Sequence, residues 1–229
     1  MKNIFITTEN VNKCTEVCQE LESPESLIGP SLAMFTGPAG RGKSEFAKYY
    51  ATNSTAIYIP PLNVRSPAMV LREIAFELSM LRPRQTEACM NIIGSEMAKA
   101  RRLIFIDEAD LLPIGILEML RNINERYACP VVLIGEEELK GKVGSRRRIT
   151  SRIRRRVEFN PVTQPDMVLF YAKALDMNLS NNVSTILYRG CGGDWRPIEV
   201  TAIAIERALR ASGVDEITED LAKAVVGSQ

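Results

Sequence analysis

Residues 31–44 read Ser31-Leu32-Ala33-Met34-Phe35-Thr36-Gly37-Pro38-Ala39-Gly40-Arg41-Gly42-Lys43-Ser44. The first six are a short apolar run of strand type, and Ser44 to Ala51 has the pattern of a helix, so the glycine-rich stretch between them is a strand-to-helix turn. Gly37 to Ser44 satisfies G-x-x-x-x-G-K-[ST] in the context that motif requires. Glycines let backbone N–H groups close around phosphate oxygens, and the helix start adds partial positive charge. This assigns Gly37, Pro38, Ala39, Gly40, Arg41, Gly42, Lys43 and Ser44 to a nucleotide site. Lys43 is expected to reach the β and γ phosphates, and the Ser44 hydroxyl to bind Mg²⁺.

A second element supports the first. Leu103-Ile104-Phe105-Ile106-Asp107-Glu108 is an apolar strand ending in two carboxylates, the form taken by the metal-binding strand of nucleotide-hydrolysing proteins. Asp107 is expected to hold Mg²⁺ through its water shell. Glu108 is expected to polarise the attacking water, a task left to a carboxylate because the chain has no histidine.

Working outward, Thr8 caps a helix from about Glu9 to Leu21, and further strands are expected at Ala56 to Ile59, Val131 to Ile134 and Arg156 to Phe159. Helices are expected at Pro67 to Leu81 behind a Ser66 cap, at Glu87 to Ala100 and at Ile114 to Arg126. Five short apolar strands separated by helices imply a parallel α/β sheet covered on both faces. After Pro161 the pattern becomes helical throughout: Asp166 to Ala174, Asn182 to Arg189, Pro197 to Ala211 and Glu219 to Val226. The expected organisation is a P-loop ATPase domain over residues 1–160 and a small all-helical lid over 161–229.

Composition narrows the chemistry. The chain has 229 residues, 45% hydrophobic and 25% charged, with no histidine, which excludes Ser-His-Asp and Cys-His hydrolysis and histidine-ligated zinc. Five cysteines without a C-x-x-C pair point to neither a disulfide framework nor a thiolate metal site. No run approaches the length of a spanning helix, and the start turns polar too soon for a signal peptide, so a cytoplasmic protein with no membrane partner is expected.

Net charge is only +1, yet nine of the 29 basic residues (Lys140, Lys142, Arg146, Arg147, Arg148, Arg152, Arg154, Arg155, Arg156) lie between positions 140 and 156 without an acid among them. That leaves 20 basic against 28 acidic residues elsewhere. A cationic segment on an acidic body seeks polyanions. Lys140, Lys142, Arg146, Arg147 and Arg148 are the expected contacts to double-stranded DNA, with Arg82, Arg84 and Arg101 in reserve.

Two P-loop elements and a helical C-terminal part resemble the AAA+ ATPases. The resemblance implies an arginine finger before the fifth strand, where Ser151-Arg152-Ile153 makes Arg152 the first choice and Arg148 the second. It also implies a lid arginine, which Gly192-Gly193-Asp194-Trp195-Arg196-Pro197 places at Arg196. Glu136 stands after Val131-Val132-Leu133-Ile134-Gly135, where many AAA+ proteins carry an Asn or Thr sensor. A carboxylate accepts a hydrogen bond there but does not donate one, so Glu136 is either a sensor or a cap of the next helix.

The order of segments is more specific. Phe5 to Val11, Phe35 to Ser44, Ile104 to Asp110, Val132 to Glu137 and Ser151 to Phe159 look like the transposition protein B family of phage Mu and its relatives, over roughly Ile4 to Val226. The resemblance implies an ATP-dependent, sequence-neutral DNA-binding protein that forms a helical oligomer on duplex DNA, delivers target DNA to a transposase and stimulates strand transfer. The phage Mu protein carries a further N-terminal DNA-binding region, whereas this chain begins almost at the ATPase; DNA binding is then expected from the ATPase itself. A helicase loader or initiator ATPase, or a nucleotide-gated scaffold with little hydrolysis, would share the same motifs.

Overall fold

The computed structural model describes residues 1–61, 66–214 and 216–227. In chain order it runs α1 (Glu9–Glu22), a 3₁₀ turn (Pro24–Leu27), β1 (Leu32–Thr36), α2 (Lys43–Thr52), β2 (Ile57–Ile59), α3 (Pro67–Ser79), α4 (Thr86–Lys99), β3 (Ile104–Ile106) and α5 (Ile114–Tyr127). Then follow β4 (Val131–Gly135), α6 (Glu137–Gly144), α7 (Arg147–Thr150), β5 (Ile153–Glu158), α8 (Gln164–Leu175), α9 (Asn181–Cys191), α10 (Trp195–Ser212) and α11 (Glu219–Val226). The strands form one sheet in the order β2-β3-β4-β1-β5, every pair parallel.

The strand sequences explain this arrangement. β1 and β4 are buried at every position, which is why they read as unbroken apolar runs rather than alternating ones. Position in the sheet explains β5, whose Ile153 and Val157 are buried while Arg155 and Arg156 are exposed. An edge strand tolerates charge on its open side, and such charge deters pairing with other chains. The fifth strand therefore starts three residues earlier than the sequence pattern places it, and its arginines belong to the ladder with β1.

Two compact units result. One comprises Asn10–Pro38 and Lys43–Phe159; the other comprises Met1–Glu9, Ala39–Gly42 and Asn160–Gln229. In the larger unit, α3, α4 and α5 bury Ile74, Ile93, Leu117 and Leu120 with sheet residues such as Ile104 and Val131. An aromatic cluster seats α2: Phe46 meets Phe35 and Phe105 edge-on at 6.0 and 6.2 Å between ring centroids, and Tyr50 meets Phe105 at 5.7 Å. Phe46 and Phe105 are fully buried, each worth about 1.5–3 kcal/mol in apolar burial, so the helix that follows the glycine loop is firmly held. The smaller unit packs Met167, Tyr171, Leu187, Ile198 and Ile205 around Ile6. All five cysteines are free and buried.

Candidate nucleotide-binding site

The loop after β1 leaves the sheet at Gly37, whose φ is +148°. A Cβ there would stand 3.0 Å from the Phe159 carbonyl oxygen, so only glycine fits this departure. The other end of the loop is α2, which starts at Lys43. Lys43 is 9% exposed, and its ammonium donates to the carbonyls of Gly37 at 2.6 Å and Pro38 at 2.7 Å. Ser44 is partly exposed in the first turn of the same helix.

Asp107 and Glu108 follow β3 directly. Asp107 is 4% exposed; its Oδ1 accepts the Glu108 N–H at 2.9 Å and its Oδ2 accepts the Tyr58 hydroxyl at 2.5 Å. Glu108 has φ +48°, a left-handed conformation that costs a non-glycine residue of order 1–3 kcal/mol and clusters at functional sites. It turns the Glu108 side chain out to solvent. Partial loss of hydration, and then the carboxylates of Asp107, Asp110 and Glu136, raise the Glu108 carboxyl above its ordinary value.

The ends of β3 and β4 are stitched together here. The Ala109 N–H donates to Ile134 O at 2.7 Å, and the Glu136 N–H donates to Asp110 Oδ1 at 3.1 Å. A Cβ on Gly135 would lie 2.3 Å from that same Asp110 oxygen, so any side chain there would push the Asp110 carboxylate off the Glu136 N–H. Glu136 is exposed at the N-cap position of α6, and its side chain makes no capping hydrogen bond. Sequence reading missed Tyr58, which parallel pairing of β2 with β3 brings in from a distant segment, and the role of Asp110, whose partner Glu136 lies 26 positions on, after β4.

In the smaller unit the loop tip meets the start of α10. The Trp195 N–H donates to Gly40 O at 2.8 Å, Arg41 donates to Gly193 O at 2.9 Å, and the Arg41 guanidinium pairs with Asp194 at 2.8 Å. Gly42, at φ +91°, has the Trp195 ring 3.1 Å from where a Cβ would stand. Pro38 and Ala39 are exposed. Arg196 is exposed in the first turn of α10.

The AAA domain family matches residues 28–143, about half of the chain, covering the glycine loop, the Asp107-Glu108 turn and β4. The chain belongs to the AAA domain family. Among curated proteins, this AAA chain is 28% identical over 165 residues to the "ATP-dependent target DNA activator B" of Escherichia phage D108, covering 68% of this chain and 53% of that protein. The protein of the same name from Escherichia phage Mu is 29% identical over 146 residues, 60% and 47% of the two lengths. The chain thus spans about half the length of these relatives, and the likeness read from its motifs to the phage Mu family is borne out. Similar solved structures include the ORC2 protein of Aeropyrum pernix (TM-score 0.69, 15% identity, 99% of this chain and 68% of that one). Another is the RuvB Holliday junction branch migration motor of Thermotoga maritima (TM-score 0.68, 18% identity, 98% and 70%). The fold is that of the AAA+ P-loop ATPases, a five-stranded parallel sheet with flanking helices and a helical C-terminal part.

Within the larger unit of this AAA chain, Arg152 lies at the far end of the sheet from Gly37. The Arg152 carbonyl accepts the Leu32 N–H, whereas Gly37 follows Thr36 at the other end of β1, about 13 Å away at roughly 3.3 Å per residue. The Arg152 guanidinium is half-exposed and paired with Glu125, which also holds Arg121 at 3.0 Å.

The cationic segment is more ordered than its sequence implies. Lys140 and Lys142 stand on α6 and Arg147 and Arg148 on α7, two short helices pinned by buried Leu139, Val143 and Ile149. Lys140 pairs with Glu137 and Glu158 at 2.8 and 2.9 Å. Lys142 donates to the carbonyls of Asp110 and Leu112. Lys140 is thus held in ion pairs at the surface, and Lys142 is tied by half-buried hydrogen bonds to the turn after β3. Arg146, Arg147 and Arg148 are exposed. No described helix is long and apolar enough to cross a membrane.

Proposed function

We propose that this chain is an Mg²⁺-dependent ATPase of DNA transposition that assembles on double-stranded DNA and delivers it as target to a transposase in the host cytoplasm. The observation that carries the reading is the glycine loop at the C-terminal end of β1 and the Asp107-Glu108 turn at the C-terminal end of β3, on either side of β4 at the same end of a parallel sheet, in a chain similar to two target DNA activators. In this reading residues 1–160 are the ATPase domain and 161–229 its helical lid.

The residues fit the roles. Lys43 already holds two carbonyl oxygens of the loop, and phosphate oxygens are stronger acceptors for an ammonium. Ser44 and Asp107 offer the hard oxygen atoms that Mg²⁺ prefers, and Mg²⁺ commonly completes its shell with water and substrate phosphates rather than an all-protein cage. When bound, that ion neutralises charge on the β and γ phosphates. Glu108, exposed to solvent beside the metal-binding carboxylate, is the base that orients water. Glu136 is its neighbour, a sensor only through accepting hydrogen bonds.

Glu108→Gln is expected to leave ATP affinity within about threefold while slowing hydrolysis by about 10²–10⁴-fold, so the protein stays on DNA longer. The wild-type rate should fall on acidification through the Glu108 pKa, above the ordinary 4.5, and the glutamine variant should lack that limb. Phosphate release and DNA residence time measure both. Loss of ATP binding in a folded variant would remove Glu108 from this role.

DNA contact is assigned to the exposed Arg146, Arg147 and Arg148. Phosphate contacts position without reading sequence. Replacing Arg146 and Arg147 by alanine should weaken ATP-dependent binding equally on unrelated duplexes and lower the slope of log affinity against log salt by about 0.9 per lost contact. An unchanged slope would move the DNA surface elsewhere. Transposase-dependent strand transfer with and without this protein tests the wider role.

A further inference from the structure

We propose that Tyr58 is a positioning residue for the metal-binding carboxylate: its hydroxyl fixes the orientation in which Asp107 meets the Mg²⁺ that accompanies ATP. The inference rests on the reading of Asp107 given above.

Asp107 is almost wholly buried, and its two oxygens are held by donors from different elements. Oδ1 takes the N–H of Glu108 in the turn, at 2.9 Å; Oδ2 takes the phenol of Tyr58 from β2, at 2.5 Å. Neither side-chain torsion of Asp107 can turn without losing one of these bonds. Because each carboxylate oxygen offers about two acceptor sites, one remains on each for the metal and its waters. Tyr58 reaches this point because parallel pairing sets it opposite Phe105, two residues before Asp107 on the same face. A carboxylate held in advance loses less freedom when the ion arrives. Partners that orient a metal ligand in this way typically alter metal affinity by 10–100-fold when removed.

The test compares wild type, Tyr58→Phe, Asp107→Asn and the double variant, measuring ATP affinity in EDTA and across a Mg²⁺ titration, with nucleotide-free melting in EDTA to confirm folding. Tyr58→Phe should keep its EDTA affinity within about twofold, raise the Mg²⁺ midpoint by about tenfold, and recover a near-normal kcat at saturating Mg²⁺. Asp107→Asn should lose most of the Mg²⁺ gain, and adding Tyr58→Phe to it should change nothing further. A folded Tyr58→Phe with an unchanged midpoint, or with equal losses in EDTA and Mg²⁺, overturns the role of Tyr58 alone, provided Asp107→Asn is defective. If Asp107→Asn keeps the full gain, both assignments fall.

Discussion

Lys43→Ala should cost at least about a hundredfold in ATP affinity, close to 2.8 kcal/mol at 1.4 kcal/mol per tenfold. Among the described residues of the larger unit Lys43 is the one buried cation, and hydrogen bonds to a charged group contribute about 1.5–3 kcal/mol. Its loss also releases the Gly37 and Pro38 carbonyls, so the loop would be less well shaped for phosphate. The cleanest measurement is thermal unfolding with and without Mg²⁺-ATP. A ligand at a hundred times its Kd adds about 2.7 kcal/mol to the native state, and that gain should vanish in Lys43→Ala while the nucleotide-free melt stays near wild type. A folded variant that keeps the full ATP-induced gain would show that Lys43 does not hold the phosphates.

Arg152→Ala should leave ATP affinity nearly intact and lower assembly-stimulated hydrolysis by about 10³-fold or more, the range an arginine finger supplies. The argument is positional. Arg152 sits beside the first residue of β1 and is tied to Glu125, whereas the phosphates of its own protomer belong beyond the last residue of that strand. If Arg152 is the finger, an arginine so placed would have to serve a nucleotide held by another copy. Mixing Arg152→Ala with Asp107→Ala tests this directly, since a head-to-tail contact joins unlike faces and about a quarter of random contacts would regain both halves. No recovery in mixed assemblies would transfer the finger to Arg148 or place the whole site within one subunit.

The nucleotide site was legible because its information is local. Gly37 to Ser44 needs only its own spacing, and Asp107 needs only the apolar run before it. The helical C-terminal part was legible for a similar reason, since Thr163, Ser180 and Thr218 cap their helices through hydrogen bonds three residues long. The cationic segment was not. The strand expected at Arg156 to Phe159 leaves out Arg154 and Arg155, but β5 gains its ladder from β1, more than a hundred residues earlier, and Lys142 finds its carbonyls on the turn after β3. Tyr58 was hidden likewise: its link to Asp107 spans 49 positions, and no pattern within β2 announces it. Long-range register decides such contacts, and one sequence does not carry it.

The chain contains a single tryptophan and six tyrosines. Trp195 rests against the loop tip, with its backbone N–H on the Gly40 carbonyl and its ring beside the bare face of Gly42. The consequence is optical. All indole emission from this protein originates beside the glycine loop, at wavelengths where tyrosine contributes little, and an indole's emission follows the polarity and field around it. The loop therefore carries its own dye, installed by the fold, and under the proposed reading arrival of Mg²⁺-ATP is expected to change the native emission without any label.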